Sequence, residues 1–173
     1  NMKIPVGISN RHVHLSKEVK DKLFGEDFEL KVRRELRQKG EYASESKIDL
    51  KGPNGIIERV RVMGPLRPYT QVEILKSDEA TLGVTCPVRN SGDLAGSADI
   101  TLVGPLGEVP LKSVCVIANR HIHMNEEDAK NFDVNNEDVV KVKKDDSVID
   151  NVHIKVKPTH VLECHIDKDD SLN

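Results

Sequence analysis

Two pairs of equally spaced histidines are the residues of this sequence best suited to carry chemistry. They lie in two copies of one motif, Asn10-Arg11-His12-Val13-His14-Leu15 and Asn119-Arg120-His121-Ile122-His123-Met124. Side chains at positions i and i+2 of a strand point to the same face, so each pair presents two imidazoles side by side. Such a pair can chelate a borderline metal such as zinc. One pair alone is more often ordinary surface, but two equivalent copies among seven histidines favour metal binding.

The same local elements surround both copies of the motif. Apolar, strand-like residues precede each one, at 4–8 and at 114–117. Ser16 and Asn125 follow, each with acidic residues after it, which is typical of a helix N-terminus. The sequence therefore predicts the order strand, histidine pair, short helix twice, with the first helix over 16–24 ended by Gly25.

The middle of the chain predicts many short strands joined by Gly/Pro turns. Strands are predicted at 28–32, 48–50, 56–63, 70–75, 82–88, 100–103, 109–111, 137–143, 151–156 and 160–166, with a turn at 64–68. A weaker repeat relates Ile48-x-Leu50-x-Gly52-Pro53-x-Gly55 to Ile100-x-Leu102-x-Gly104-Pro105-x-Gly107. This pattern favours small β-barrels over a βαβ sheet.

A metal held by one histidine pair needs further ligands, and few residues are candidates. His165 lies near the end of the last predicted strand. Glu73 lies in an apolar strand, where the residues alone favour an outward, solvated carboxylate. His153 and His160 have no equivalent partner and are predicted to be surface residues.

Basic side chains at two places could meet an anionic ligand. Arg67 stands between turn residues, so its guanidinium is either a stiffly held phosphate or carboxylate binder or a surface arginine. Arg33, Arg34 and Arg37 form either a solvated face or part of a flap over an anionic ligand.

Composition excludes several classes of protein. The net charge of −3 and the 3% aromatic content argue against nucleic-acid binding. No apolar run approaches the roughly 20 residues of a membrane span. Three scattered cysteines, Cys86, Cys115 and Cys164, predict reduced, buried thiols and a cytosolic setting. The chain has no P-loop, dinucleotide fingerprint or nucleophile elbow.

Taken together, the motifs resemble the PduL-type phosphate propanoyltransferase (phosphotransacylase) family over nearly the whole chain. The landmarks are both histidine motifs together with Gly40-Glu41-Tyr42-Ala43-Ser44-Glu45, Val60-Arg61-Val62-Met63-Gly64-Pro65-Leu66-Arg67, Thr70-Gln71-Val72-Glu73, Pro87-Val88-Arg89-Asn90-Ser91-Gly92-Asp93 and Glu163-Cys164-His165-Ile166-Asp167. Their common order makes the resemblance more specific than any one of them.

The resemblance implies an acyltransferase that exchanges propanoyl-CoA or acetyl-CoA and phosphate for acyl phosphate and CoA. It implies two zinc ions per chain in a site between two barrels, with Arg67 binding the phosphate. The first ion would be held by His12, His14, Glu73 and the CoA sulfur, and the second by His121, His123, His165 and waters. The implied CoA contacts are Ser9, Arg61, Met63 and the surroundings of His165.

The implied fold is mainly β, with two small closed barrels, short helices and strand exchange between the N- and C-terminal segments. Residues 1–10 plus 119–173 would form one barrel and 11–24 plus 46–118 the other, with 25–45 as a two-stranded flap over the site. Where the family usually has an Asn beyond the last motif, this chain has Leu172 followed by Asn173. The resemblance also implies a homodimer, and the lack of a targeting extension favours the bacterial cytoplasm over a microcompartment.

Two other functions fit the histidine pairs. A zinc hydrolase of thioesters or phosphate esters would act without phosphate as co-substrate. A non-catalytic, zinc-stabilised binding module would have closed metal sites and would not bind CoA.

Overall fold

Thirteen strands and four short helices make up residues 3–171, the part of the chain that this computed structural model describes. The strands are β1 (Val6–Ser9), β2 (His12–Ser16), β3 (Val32–Glu35), β4 (Tyr42–Lys51), β5 (Ile56–Arg67), β6 (Gln71–Glu73), β7 (Val88–Arg89), β8 (Ala98–Gly104), β9 (Gly107–Ala118), β10 (His121–Met124), β11 (Val139–Lys144), β12 (Ser147–Val156) and β13 (Glu163–Asp167). The helices are α1 (Lys17–Phe24), α2 (Asp78–Leu82), α3 (Glu126–Phe132) and α4 (Lys168–Ser171). The predicted mainly-β fold with short helices is confirmed. Among the described residues, no helix has the length and apolar character needed to cross a membrane.

The chain divides into two compact units. The smaller unit comprises Asn1–Asn10, Arg37–Lys39 and Asn119–Asn173, and the larger comprises Arg11–Leu36 and Gly40–Ala118. Each unit contains one of the two histidine motifs, with Asn10 ending the first segment of the smaller unit.

Six strands of the larger unit close into a barrel. Their order is β4, β5, β2, β6, β9 and β8, and β8 pairs with β4 to complete the ring. Buried side chains fill its core, including Val13, Leu15, Val62 and Val72, all 0% exposed. Because the core takes the side chains on one face of β2, His12 and His14 lie on the other.

The weaker sequence repeat corresponds to two hairpins of this barrel that pair with each other. One hairpin joins β4 to β5 and the other joins β8 to β9. Leu50 of the first repeat lies opposite Leu102 of the second, and both are fully buried. The repeated Gly-Pro turns therefore end equivalent, adjacent hairpins.

The smaller unit is a five-stranded sheet in the order β1, β13, β10, β12, β11. The N-terminal strand β1 runs parallel to the C-terminal strand β13, as the predicted strand exchange requires. Ile122, Met124, Ile154 and Ile166 are buried in its core.

The helices that follow the two histidine motifs begin at the predicted residues. Ser16 caps α1 and its hydroxyl accepts from the backbone N–H of Val19. Asn125 and Asp128 form a reciprocal capping box at the start of α3. Gly25 ends α1 at φ 104°, a conformation that favours glycine.

Three segments differ from the sequence-based predictions. Residues 82–87 are not a strand, because α2 continues to Leu82 and ends at Gly83, whose N–H donates to the carbonyl oxygen of Glu79, while the N–H of Cys86 donates to Glu79 Oε2. Residues 28–31 are not a strand, because the ammonium group of Lys20 is buried and donates to the carbonyl oxygens of Gly25, Glu26 and Phe28. Residues 64–67 are not a turn but continue β5, since Gly64 pairs with Tyr42 and Arg67 pairs with Ser16. Pairing with strands on both sides overrides the local turn preference of the Gly-Pro sequence.

Candidate metal centres

Each histidine motif forms a strand in the middle of the same three-strand arrangement. The strand β2 lies between β5, which is parallel to it, and β6, which is antiparallel. The strand β10 lies between β12, which is parallel, and β13, which is antiparallel. The register is also the same, because Glu73 lies opposite His12 and His165 lies opposite His121. The repeat in the sequence is therefore a repeat of strand pairing.

The first centre, in the larger unit, consists of His12, His14 and Glu73. Their potential ligand atoms all lie within 4.8 Å of one another. His12 Nε2 is 2.5 Å from Glu73 Oε2, so the imidazole N–H donates to the carboxylate. A divalent cation at this position would replace that proton, since metal ligands bind in their deprotonated forms. Two imidazole nitrogens and one carboxylate oxygen form a set that suits zinc.

The second centre, in the smaller unit, consists of His121, His123 and His165. His121 Nε2 is 3.0 Å from His123 Nε2 and 3.1 Å from His165 Nδ1. His121 Nδ1 is 2.8 Å from the backbone oxygen of Asn119, so Nδ1 carries the proton and the ring lone pair is on Nε2. Three ring nitrogens that converge in this way are arranged as ligands of one cation.

The arginine before each histidine pair anchors the strand that carries it. Arg11 donates through Nε and Nη2 to the two carboxylate oxygens of Asp78, at 2.8 and 2.9 Å. Arg120 donates through Nη2 to Asp170 Oδ1, at a distance of 2.7 Å. Charge-assisted bonds of this kind are strong and directional. The arginine of each motif therefore has a structural explanation that the sequence alone did not reveal.

Arg67 lies beside the first centre. Its backbone pairs with Ser16 at the end of the strand that carries His14, and its positive charge contributes to lowering the pKa of His14. Its Nη1 donates to Ser91 Oγ at 3.1 Å, and its Nη2 is 3.5 Å from a carboxylate oxygen of Glu41. The guanidinium is thus held on two sides while its side chain remains partly exposed, at 22%.

The residues predicted to contact CoA are divided between the two units. Arg61 lies opposite His12 and Met63 lies opposite His14, on β5 next to the first centre. Ser9 lies at the end of β1 in the smaller unit, opposite Asp167, and its hydroxyl donates to the backbone oxygen of Ile166. Leu172 and Asn173 lie outside the described residues.

The predicted basic cluster is divided by the fold. Arg33 and Arg34 are exposed on β3. Burial lowers the pKa of Arg61, and the charges of Arg33 and Arg34 lower it further. Arg37 instead belongs to the smaller unit, where its Nε donates to the backbone oxygen of Leu162. Arg33 and Arg34 therefore interact electrostatically with Arg61.

One histidine that the sequence predicted to be ordinary surface lies against the second centre. His160 is partly buried, with its Nδ1 3.3 Å from His123 Nδ1 and 3.0 Å from the backbone oxygen of Lys155. His160 is 37 residues from His123 along the chain, so no short-range sequence pattern relates the two residues. His153 lies opposite His121 on β12, but it does not belong to either centre.

Burial keeps one histidine of each centre neutral. It lowers the pKa of His14 to about 3, with the charge of His12 adding to the effect and that of Glu73 opposing it. It lowers the pKa of His123 to about 2, with further contributions from neighbouring histidines. A neutral imidazole is the form that binds a metal, so both residues are ready to act as ligands at pH 7.

These pKa values predict that the metal-free protein loses stability in mild acid. In the unfolded chain the same histidines have a pKa near 6.5, so below that pH the unfolded state binds more protons than the folded state. The free energy of unfolding is therefore at its full value above about pH 6.5, and it falls as the pH drops towards 3. Between pH 6.5 and 5 we expect a loss on the order of 1–2 kcal/mol for each histidine.

Urea unfolding of the metal-free protein at pH 7.5 and 5 measures this loss. The variants His14→Gln and His123→Gln should each show a smaller difference between the two pH values. Equal pH dependence in wild type and in both variants would contradict the explanation.

Comparison with known proteins identifies the family. A sequence model of the phosphate propanoyltransferase family matches residues 5–173. The phosphate propanoyltransferase of Thermotoga maritima is 46% identical over 172 residues, which cover 97% of this chain and 82% of that protein. The enzyme of the same name from Salmonella arizonae is 43% identical over 99% of this chain and 83% of its own length, and that from Limosilactobacillus reuteri is 42% identical over 97% and 80%. The chain therefore belongs to the phosphate propanoyltransferase family and is an acyltransferase.

Proposed function

We propose that this protein interconverts acyl-CoA and phosphate with acyl phosphate and CoA, using two zinc ions per chain. The observation that carries the proposal is the convergence of three ligand residues in each unit at one register position of a repeated strand arrangement. Zinc would supply Lewis-acid chemistry at both centres, lowering the pKa of a thiol and withdrawing charge from carbonyl or phosphoryl oxygens. Propanoyl-CoA and acetyl-CoA are the proposed substrates; the relatives' name, phosphate propanoyltransferase, supports the propanoyl group, and the family resemblance adds the acetyl group.

Arg67 is the proposed phosphate-binding residue. A guanidinium presents a planar fork of donors that matches two phosphate oxygens. Because Ser91 and Glu41 hold this group next to His14, a bound phosphate would lie beside the first centre. Holding the two reactants in one orientation can be worth effective molarities of roughly 10⁵ to 10⁸ M.

The cysteines support direct transfer over an acyl-enzyme. Cys86, Cys115 and Cys164 are all buried, at 5, 0 and 2% exposure, so an acyl group of CoA cannot reach their sulfur atoms. In the proposed reaction a phosphate oxygen forms a bond to the acyl carbon while the carbon–sulfur bond breaks, and the electron pair of that bond leaves with the sulfur of CoA. Mass spectrometry of protein mixed with acyl-CoA alone should detect no covalently acylated chain.

The positions of Arg33, Arg34 and Arg61 suit the anionic part of CoA. All three belong to the larger unit, and Arg61 lies opposite His12. We propose that Ser9, Arg61, Met63 and His165 contact CoA, and that β3 is part of a flap over the ligand. A homodimer is also proposed from the family resemblance, and light scattering measures it directly.

Release of free thiol from propanoyl-CoA and acetyl-CoA tests the activity. Protein of known zinc content should release thiol only when phosphate is present, with acyl phosphate as the second product. Phosphate is required because it is the acyl acceptor.

The two other functions predict different results in this assay. Release without phosphate would support the thioester hydrolase. No release from zinc-loaded protein would support the binding module. The ratio of the rate with propanoyl-CoA to the rate with acetyl-CoA measures the preference for propanoyl over acetyl groups.

A further inference from the structure

The third residue of each centre has a hydrogen-bonded neighbour two positions earlier on the same strand. In the larger unit Gln71 precedes Glu73 and lies opposite His14. In the smaller unit Glu163 precedes His165 and lies opposite His123. The two neighbours therefore occupy equivalent positions in the repeated arrangement.

The chemistry of each neighbour matches the residue that it contacts. Gln71 Nε2 donates to Glu73 Oε1 at 2.7 Å, which leaves Oε2 on the side of His12. Glu163 Oε1 lies 2.6 Å from His165 Nε2, and because a carboxylate only accepts, Nε2 must carry the proton. The lone pair of His165 is then on Nδ1, the atom 3.1 Å from His121 Nε2. In the larger unit the amide of Gln71 donates to the carboxylate of Glu73, and in the smaller unit the carboxylate of Glu163 accepts from the imidazole of His165.

Contacts outside the centres hold both neighbours in place. Gln71 is fully buried, and its Oε1 accepts from the backbone N–H of Gly92 at 2.9 Å. Gln38, 5% exposed, donates to Glu163 Oε1 at 3.0 Å. The same amide group exchanges two hydrogen bonds with the backbone of Val161.

Gly7 closes the remaining side of Glu163. It lies opposite His165 on β1, and a Cβ atom at this position would be 2.6 Å from Glu163 Oε2. A side chain at residue 7 would push the carboxylate away from His165. The absence of a side chain therefore keeps room for Glu163 in the orientation observed.

We infer that Glu163 and Gln71 are positioning residues, which present His165 Nδ1 and Glu73 Oε2 to the metal of their respective centres. Partners of this kind fix the tautomer and direction of a ligand and typically change metal affinity by about 10–100-fold. The inference rests on the proposed function only in taking both centres to hold zinc. It assigns roles to two residues that do not themselves belong to either group of ligands.

Zinc competition with a chelator, performed on the whole 173-residue chain, tests the role of Glu163. Glu163→Ala should weaken one of the two zinc sites about 10–100-fold and leave the other unchanged. Glu163→Gln should weaken it less, because the amide oxygen still accepts from His165 Nε2 but carries no charge. Glu127→Gln, which changes an exposed glutamate of the same unit, should bind zinc as wild type does.

Nitrogen-15 NMR of the zinc-loaded histidines gives a readout that a general loss of folding does not reproduce. In wild type and in Glu163→Gln, His165 should show a protonated Nε2 and a metal-bound Nδ1. In Glu163→Ala the Nε2 proton should exchange faster with water. An unchanged spectrum in Glu163→Ala would contradict the role of Glu163.

Gln71→Leu is the matching test in the larger unit. It should weaken the other zinc site, so that the double variant with Glu163→Ala is impaired at both. Two zinc ions bound with wild-type affinity in both single variants would overturn the inference while leaving the proposed function intact. A wild-type chain that binds no zinc at the histidines would instead overturn the proposed function.

Discussion

Replacing His123 with alanine should remove one of two zinc ions from each chain and abolish most of the activity. His123 supplies one of three converging nitrogens, and two ligands hold zinc far more weakly than three. Loss of several kcal/mol of Lewis-acid stabilisation corresponds to a fall in kcat of about 10³-fold. His14→Ala should remove the other ion with a similar loss, because the two centres lie in separate units. Elemental analysis of the purified variants and the thiol-release assay measure both effects.

His153→Ala is the matched control for this experiment. His153 belongs to the same unit and lies opposite His121 on the adjacent strand, but it does not belong to the second centre. Its removal should leave the zinc content at two ions per chain and the rate near that of wild type. If His123→Ala retains two tightly bound ions, His123 is not a ligand and the proposed second centre is wrong.

Replacing Arg67 with alanine should greatly lower the rate while both zinc ions are retained. Removal of one donor that stabilises developing charge in a transition state typically lowers kcat by about 10²- to 10³-fold. Arg67 does not belong to either group of ligands, so the zinc content should stay at two ions per chain. Arg67→Lys should recover part of the rate, because it keeps the charge but lacks the planar fork. The dependence of the rate on phosphate concentration shows whether phosphate binding is weakened.

Lys112→Ala is the control for charge alone. Lys112 is an exposed cation of the larger unit, and its removal should not change the rate. Loss of zinc in Arg67→Ala would point to a structural role for the arginine in the first centre. A normal rate with normal zinc content would remove Arg67 from the proposed mechanism.

Several features of the fold could be predicted because their causes are local. The two histidine pairs, the helix starts at Ser16 and Asn125 and the Gly-Pro hairpins depend on residues adjacent in the chain. The buried state of the three cysteines also followed from their apolar surroundings. The family resemblance added that the N-terminal strand joins the C-terminal segment, which local patterns do not contain and which the pairing of β1 with β13 confirms.

Errors occurred where a contact outside the strand or turn pattern decides the conformation. Residues 28–31 are shaped by the buried ammonium group of Lys20, and residues 64–67 by pairing with β2 and β4. His160 and Arg37 have ordinary sequence surroundings, but each contacts a residue far along the chain. A reading of short-range patterns has no access to these contacts.

The sequence by itself determined which chemistry this protein can carry. Imidazole pairs with strand spacing must share a face wherever the strand lies, since that follows from the period of a strand alone. The tertiary structure decided which residue joins each pair, because Glu73 and His165 reach the histidines only through antiparallel pairing with β2 and β10. It likewise decided that Gln71 and Glu163 lie beside those residues, because strand register follows from the packing of buried faces far apart in the chain.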